Sequence, residues 1–87
     1  MQYLAHIYVS YKPSVLDPQG EVIKAALHRL AYQNVREVVQ GKYFEVRLEA
    51  ADEEQAVDDV KSLTAALLIN QNTETYHFDL QAVPEEG

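Results

Sequence analysis

The chain has no cysteine. That single absence excludes disulfides, thiolate metal sites and a cysteine nucleophile. It also fits a reducing compartment, and the cytoplasm is the expected location. Basic residues are scarce: seven Lys and Arg stand against fourteen Asp and Glu, for a net charge of −7. A domain this acidic repels phosphate backbones, so nucleic acid is not an expected partner. No apolar run approaches the ~20 residues of a membrane span. The opening Met1-Gln2-Tyr3-Leu4-Ala5-His6 lacks the basic region and apolar run of a signal peptide. A membrane is therefore not an expected partner either.

The motifs that carry chemistry are missing as well. Neither G-x-x-x-x-G-K-S/T nor G-x-G-x-x-G occurs, so there is no phosphate-cradling loop. There is no G-x-S-x-G nucleophile elbow. The three histidines, His6, His28 and His77, form no H-x-x-x-H or H-E-x-x-H pair, so no metal site is expected. Asp52, Glu53, Glu54, Asp58 and Asp59 cluster near a helix start and read as a solvated face. No catalytic residue and no bound cofactor are expected.

What remains is one small globular domain. The 87 residues are 47% hydrophobic, ordinary for a folded protein and too rich for a disordered tail. A domain of this size buries only roughly 60–65% of its unfolded surface, and a thin core without staples gains stability by self-association. The domain is expected over 1–83, with a frayed tail at 84–87.

Residues 2–11 alternate Tyr3, Ala5, Ile7, Val9 and Tyr11 with Leu4, His6, Tyr8 and Ser10, the period of a strand. Pro13 ends it, having no N–H to give to a ladder. Asp17-Pro18 then starts a helix, the carboxylate as cap and the proline at the first helical position. Val22, Ile23, Ala26, Leu27 and Leu30 follow at helical spacing, predicting a helix over 18–31 with one apolar stripe. Gly20 in its first turn either permits close approach of a partner's backbone or reflects tight packing within the chain.

Residues 35–40 read as a short strand and 42–49 as a stronger one. Gly41 between them is either part of a hairpin turn or a bulge in one long bent strand. Asp52 with Gln55 resembles a capping box, and Ala56, Val57, Val60, Leu63 and Leu67 carry a second apolar stripe to a helix end near Ile69. Residues 75–83 alternate again as a last strand.

The order βαββαβ predicts an α+β fold: a ferredoxin-like two-layer sandwich, with two helices on one face of an antiparallel sheet. The other sheet face would carry Leu4, His6, Tyr8, Tyr43, Glu45, Arg47, His77 and Asp79. That mixture of rings and charges suits the docking of another subunit. An RNA-recognition domain shares the element order, but Glu45 in the third strand and the net charge oppose base stacking.

Several stretches together resemble the PurS family, the small subunit of phosphoribosylformylglycinamidine synthase. They are Val9-Ser10-Tyr11-Lys12-Pro13-Ser14-Val15-Leu16-Asp17-Pro18-Gln19-Gly20, Ala26-Leu27-His28-Arg29-Leu30-Ala31-Tyr32, Val35-Arg36-Glu37-Val38 and Gly41-Lys42-Tyr43-Phe44-Glu45. The chain departs from the family at Ala31, where members often carry glycine, and at Asn70-Gln71, where many carry Asn-Pro.

The resemblance implies an accessory, non-catalytic subunit of an ATP- and glutamine-dependent amidoligase of purine biosynthesis. Its implied partners are a second copy of itself (a homodimer or a dimer of dimers), a glutaminase subunit and a large synthetase subunit. It would bridge the last two and assist ammonia transfer, while ATP and Mg are used by the synthetase. Lys12, Asp17, Gln19, Gly20, Gly41 and Lys42 lie in the matching motifs at element ends and are the expected partner-binding residues. The alternative is a stand-alone ferredoxin-like module that binds a regulatory metabolite.

Overall fold

A computed structural model describes residues 1–84. Of the tail expected at 84–87, all but Pro84 lies outside the described residues. The elements are β1 (Gln2–Tyr11), α1 (Pro18–Arg29), β2 (Gly41–Glu49), α2 (Glu53–Leu63) and β3 (Glu74–Val83). A π-helical turn, Thr64–Leu68, continues α2. The three strands form one antiparallel sheet in the order β2-β1-β3.

The period-2 pattern of β1 divides the sheet into two faces. Tyr3, Ala5, Ile7 and Val9 are buried, and α2 packs over them through Ala56 and Val60. Phe44, Val46 and Leu48 of β2 and Tyr76, Phe78 and Leu80 of β3 complete this core from either side of β1. Leu63, Leu68 and Ile69 close it from the helical layer. Asp52 caps α2 by accepting the Gln55 N–H at 2.9 Å, as the sequence pattern requires.

The α+β, ferredoxin-like class holds, with one strand fewer than expected. Residues 35–40 form no strand. The Gln40 N–H is donated to the Asp17 carboxylate at 2.9 Å, so the chain runs straight into β2 instead of folding back beside it. Gly41 is therefore neither hairpin turn nor bulge. It is the first residue of β2, opposite Ser10 of β1. A Cβ there would collide with the Val9 carbonyl oxygen, which is why the position carries glycine.

The first helix does not lie on the sheet. No α1 residue belongs to the core cluster, and among the described residues α1 makes no extensive contact with any strand. The radius of gyration is 17.0 Å, against about 12 Å for a compact domain of this length. The molecule measures 53 × 30 × 15 Å, elongated for its length.

Candidate functional site

The six residues singled out by motif gather at one end of the sheet, where β1 ends, α1 begins and β2 begins. Asp17 organises this end. One carboxylate oxygen accepts the Gly20 N–H at 3.0 Å, capping α1, and the other accepts from Gln40. Those N–H groups, that of Gln40 foremost, hold the Asp17 carboxyl below its ordinary value against a smaller opposing effect of burial. Gly20 is buried against the Val38 carbonyl oxygen, with no room for a Cβ. The close approach foreseen at Gly20 is thus made by the chain's own backbone.

Lys42 meets Glu74 of β3 at 3.2 Å. Glu74 also accepts the Asn70 N–H at 2.7 Å, and that bond is the main reason its carboxyl is held low; burial opposes it and Lys42 adds to it. A cleft of about 130 Å³ lies here, lined in part by Ser10, Asp17, Gln19, Gln40, Lys42 and Glu74. Lys12 stands beside it, its backbone N–H bonded to Thr73 O at 2.8 Å.

The six residues differ in what occupies them. Asp17, Gly20 and Gly41 have work inside the fold, and Lys42 has an ion-pair partner. Among the described residues, the side chains of Lys12 and Gln19 make no hydrogen bond or ion pair. Glu74 and Gln40 escaped the sequence reading. Each is recognised only through a partner distant in the chain, Lys42 for Glu74 and Asp17 for Gln40.

The uncovered sheet face carries the side chains expected of it. The register lines up Tyr43, Tyr8 and His77 across the three strands, and Glu45, His6 and Asp79 in the next row of that face. The Tyr8 ring stacks on His77 at 4.8 Å and 16° and leans on Tyr43 at 5.1 Å. A hydrogen bond of 2.5 Å joins the Tyr43 hydroxyl to His6 Nδ1. Desolvation among these groups, then the charge of Glu45, raises the Tyr43 hydroxyl above its ordinary pKa, with Tyr8 and Asp79 adding to the effect. His6 and His77 share this face, as expected, and among the described residues no cluster of His, Cys, Asp and Glu is arranged to hold a metal. No helix among them is long and apolar enough to cross a membrane.

What this geometry offers is surface. The family model of PurS, described as phosphoribosylformylglycinamidine (FGAM) synthase, matches residues 4–82. The chain belongs to the PurS family. It is 41% identical over 81 residues to the synthase subunit PurS of Bacillus subtilis, covering 93% of this chain and 95% of that one. The Synechocystis subunit PurS is also 41% identical, with 93% and 81% covered. Among solved structures, the PurLQS structure from Thermotoga maritima superposes with a TM-score of 0.85 at 30% identity, covering 93% of this chain and 99% of that one. PurS of Methanocaldococcus jannaschii, titled a subunit of formylglycinamide ribonucleotide amidotransferase in the purine biosynthetic pathway, gives 0.83 at 28%, with 94% and 99% covered.

As a PurS-family member, the chain is an accessory subunit of a ligase complex of purine biosynthesis. These likenesses do not favour the alternative of a stand-alone metabolite-binding module.

Proposed function

We propose that the chain bridges the glutaminase and synthetase subunits of phosphoribosylformylglycinamidine synthase and assists ammonia transfer between them, acting in the cytoplasm and holding no cofactor itself. ATP and Mg are used by the synthetase partner. The observation that carries this reading is family membership over residues 4–82, joined to the likeness to the PurLQS structure. A PurS-family chain presents a ring-bearing sheet face and a helix whose apolar stripe does not pack on its own sheet.

A second copy completes the molecule, as a homodimer or a dimer of dimers. Val22 on α1 is 64% exposed and Leu30, its C-terminal cap residue, 68%, apolar side chains that water disfavours and a second copy would bury. The end bearing Lys12, Asp17, Gln19, Gly20, Gly41 and Lys42 faces a partner. Lys12, Gln19 and Lys42 supply the contacts, while Asp17 and the two glycines set the backbone that presents them.

Co-purification tests this. The tagged chain, in glutamine and Mg-ADP, is expected to retain both a glutaminase and a large ATP-dependent synthetase. The triple change Lys12→Ala, Gln19→Ala, Lys42→Ala should weaken that retention and lower glutamine-dependent turnover. Undiminished assembly and turnover by the triple variant would remove the assignment of this end.

A further inference from the structure

The open sheet face was not among the six motif residues, yet it holds the most organised cluster of side chains on the surface. Two observations define what it fits. The first is a cleft of about 310 Å³ lined in part by Tyr8, Ser10, Val39, Lys42, Tyr43 and His77. Its rings are fixed before any partner arrives, Tyr8 between Tyr43 and His77 and Tyr43 tethered to His6. Rings already held in place lose little freedom on binding, which is what an anchor pocket needs. The second observation is the adjoining row, where exposed Glu45 and Asp79 flank His6. The nearest cation in the cleft, Lys42, is already engaged by Glu74.

We propose that this face docks a partner subunit that offers an apolar or aromatic anchor side chain flanked by lysine or arginine. The anchor enters the cleft between Tyr8, Tyr43 and Val39, and the basic groups meet Glu45 and Asp79. Cations gain further from the exposed tyrosine ring faces. A second copy meeting this face row to row would bring Glu45 and Asp79 toward the same two carboxylates of its own. A phosphate-bearing ligand meets the same two carboxylates with no unengaged lysine in the cleft. The proposal rests on the assembly reading above and adds the surface and the chemistry of its partner.

The test measures binding of the purified chain to the glutaminase and to the synthetase separately, at low and high salt, with the mass of the chain alone recorded in parallel. Tyr43→Ala and Glu45→Lys, both at exposed positions, are expected to weaken binding to one partner on the order of tenfold or more. Glu45→Lys should also flatten its salt dependence, and neither change should alter the mass of the chain alone. Partner binding by both variants within about twofold of the parent overturns the proposal and leaves the assembly reading standing. A parent chain that binds neither partner overturns both. A change in self-association mass in either variant assigns the face to a second copy and overturns the proposal alone.

Discussion

Ala31 sits where the fold asks for glycine. Its φ is 76°, the one positive value at a non-glycine residue among those described. The cause is the end of α1: the Ala31 N–H donates to His28 O and the Tyr32 N–H to Leu27 O, both at about 3 Å, which is the Schellman arrangement with Ala31 as its left-handed residue. An L-residue in that region costs ~1–2 kcal/mol, and glycine returns part of this through its freer unfolded chain. Ala31→Gly is therefore expected to stabilise the protein by about 0.5–1 kcal/mol, read as a higher denaturant midpoint. A lower midpoint contradicts the assignment.

Gly20 and Gly41 behave oppositely. An added Cβ meets a backbone carbonyl oxygen at each, Val38 O and Val9 O, and neither oxygen sits on a side chain that can swing away. Gly20→Ala and Gly41→Ala should each cost about 1–3 kcal/mol, the usual range for overpacking. A neutral Gly41→Ala in chemical denaturation contradicts the close approach at the start of β2.

At the scale of elements, the two ties at the end where α1 and β2 begin are electrostatic and therefore depend on pH. Asp17 fastens α1 to the approach to β2, and Glu74 fastens β3 to Lys42 and to Asn70. Both carboxyls titrate below their ordinary values of 3.8 and 4.5 in the folded chain. A depressed folded pKa means stability that is present above the unfolded pKa and is lost as pH falls through the folded one. Stability should thus be insensitive to these groups at neutral pH and decline below about 4.5. Lys42 is 55% exposed, so Lys42→Ala should cost less than about 1 kcal/mol at neutral pH, while moving the acid-unfolding midpoint upward. An unchanged acid midpoint in that variant contradicts a Lys42 contribution to the low Glu74 pKa.

The elements also show where sequence patterning was sufficient. β1, β2 and β3 alternate cleanly, and the face bearing His6, Tyr8, Tyr43 and His77 follows from period 2 alone. Both helix starts are local signals, an acidic cap before proline or a carboxylate-rich turn. Residues 35–40 misled because Val35, Val38 and Val39 have strand propensity, whereas their conformation is decided by a carboxylate 23 positions away from Gln40. Propensity carries no information about such a partner. The π-helical turn at Thr64–Leu68, closed by Ile69 N–H to Thr64 O at 3.2 Å, has no pattern of its own either.

For the whole molecule, the position of α1 is the informative departure. Its stripe was legible as core-facing, and the core it would face is not provided by its own sheet. Periodicity reports that a face must be buried and is silent about which chain buries it. Val22 and Leu30 stay exposed, and no α1 residue enters the core cluster. Val22→Asp combined with Leu30→Asp should shift the protein toward monomer in sedimentation while α1 keeps its Asp17 cap. Self-association that survives both charges contradicts α1 as the interface.

The proposal that this small chain works by holding others is tested most directly by glutamine-dependent turnover by purified glutaminase and synthetase, with and without the chain, at matched concentrations. The account predicts little turnover from the two large subunits alone, recovery when the chain is added, and none from the chain by itself. Full glutamine-dependent activity in its absence contradicts it.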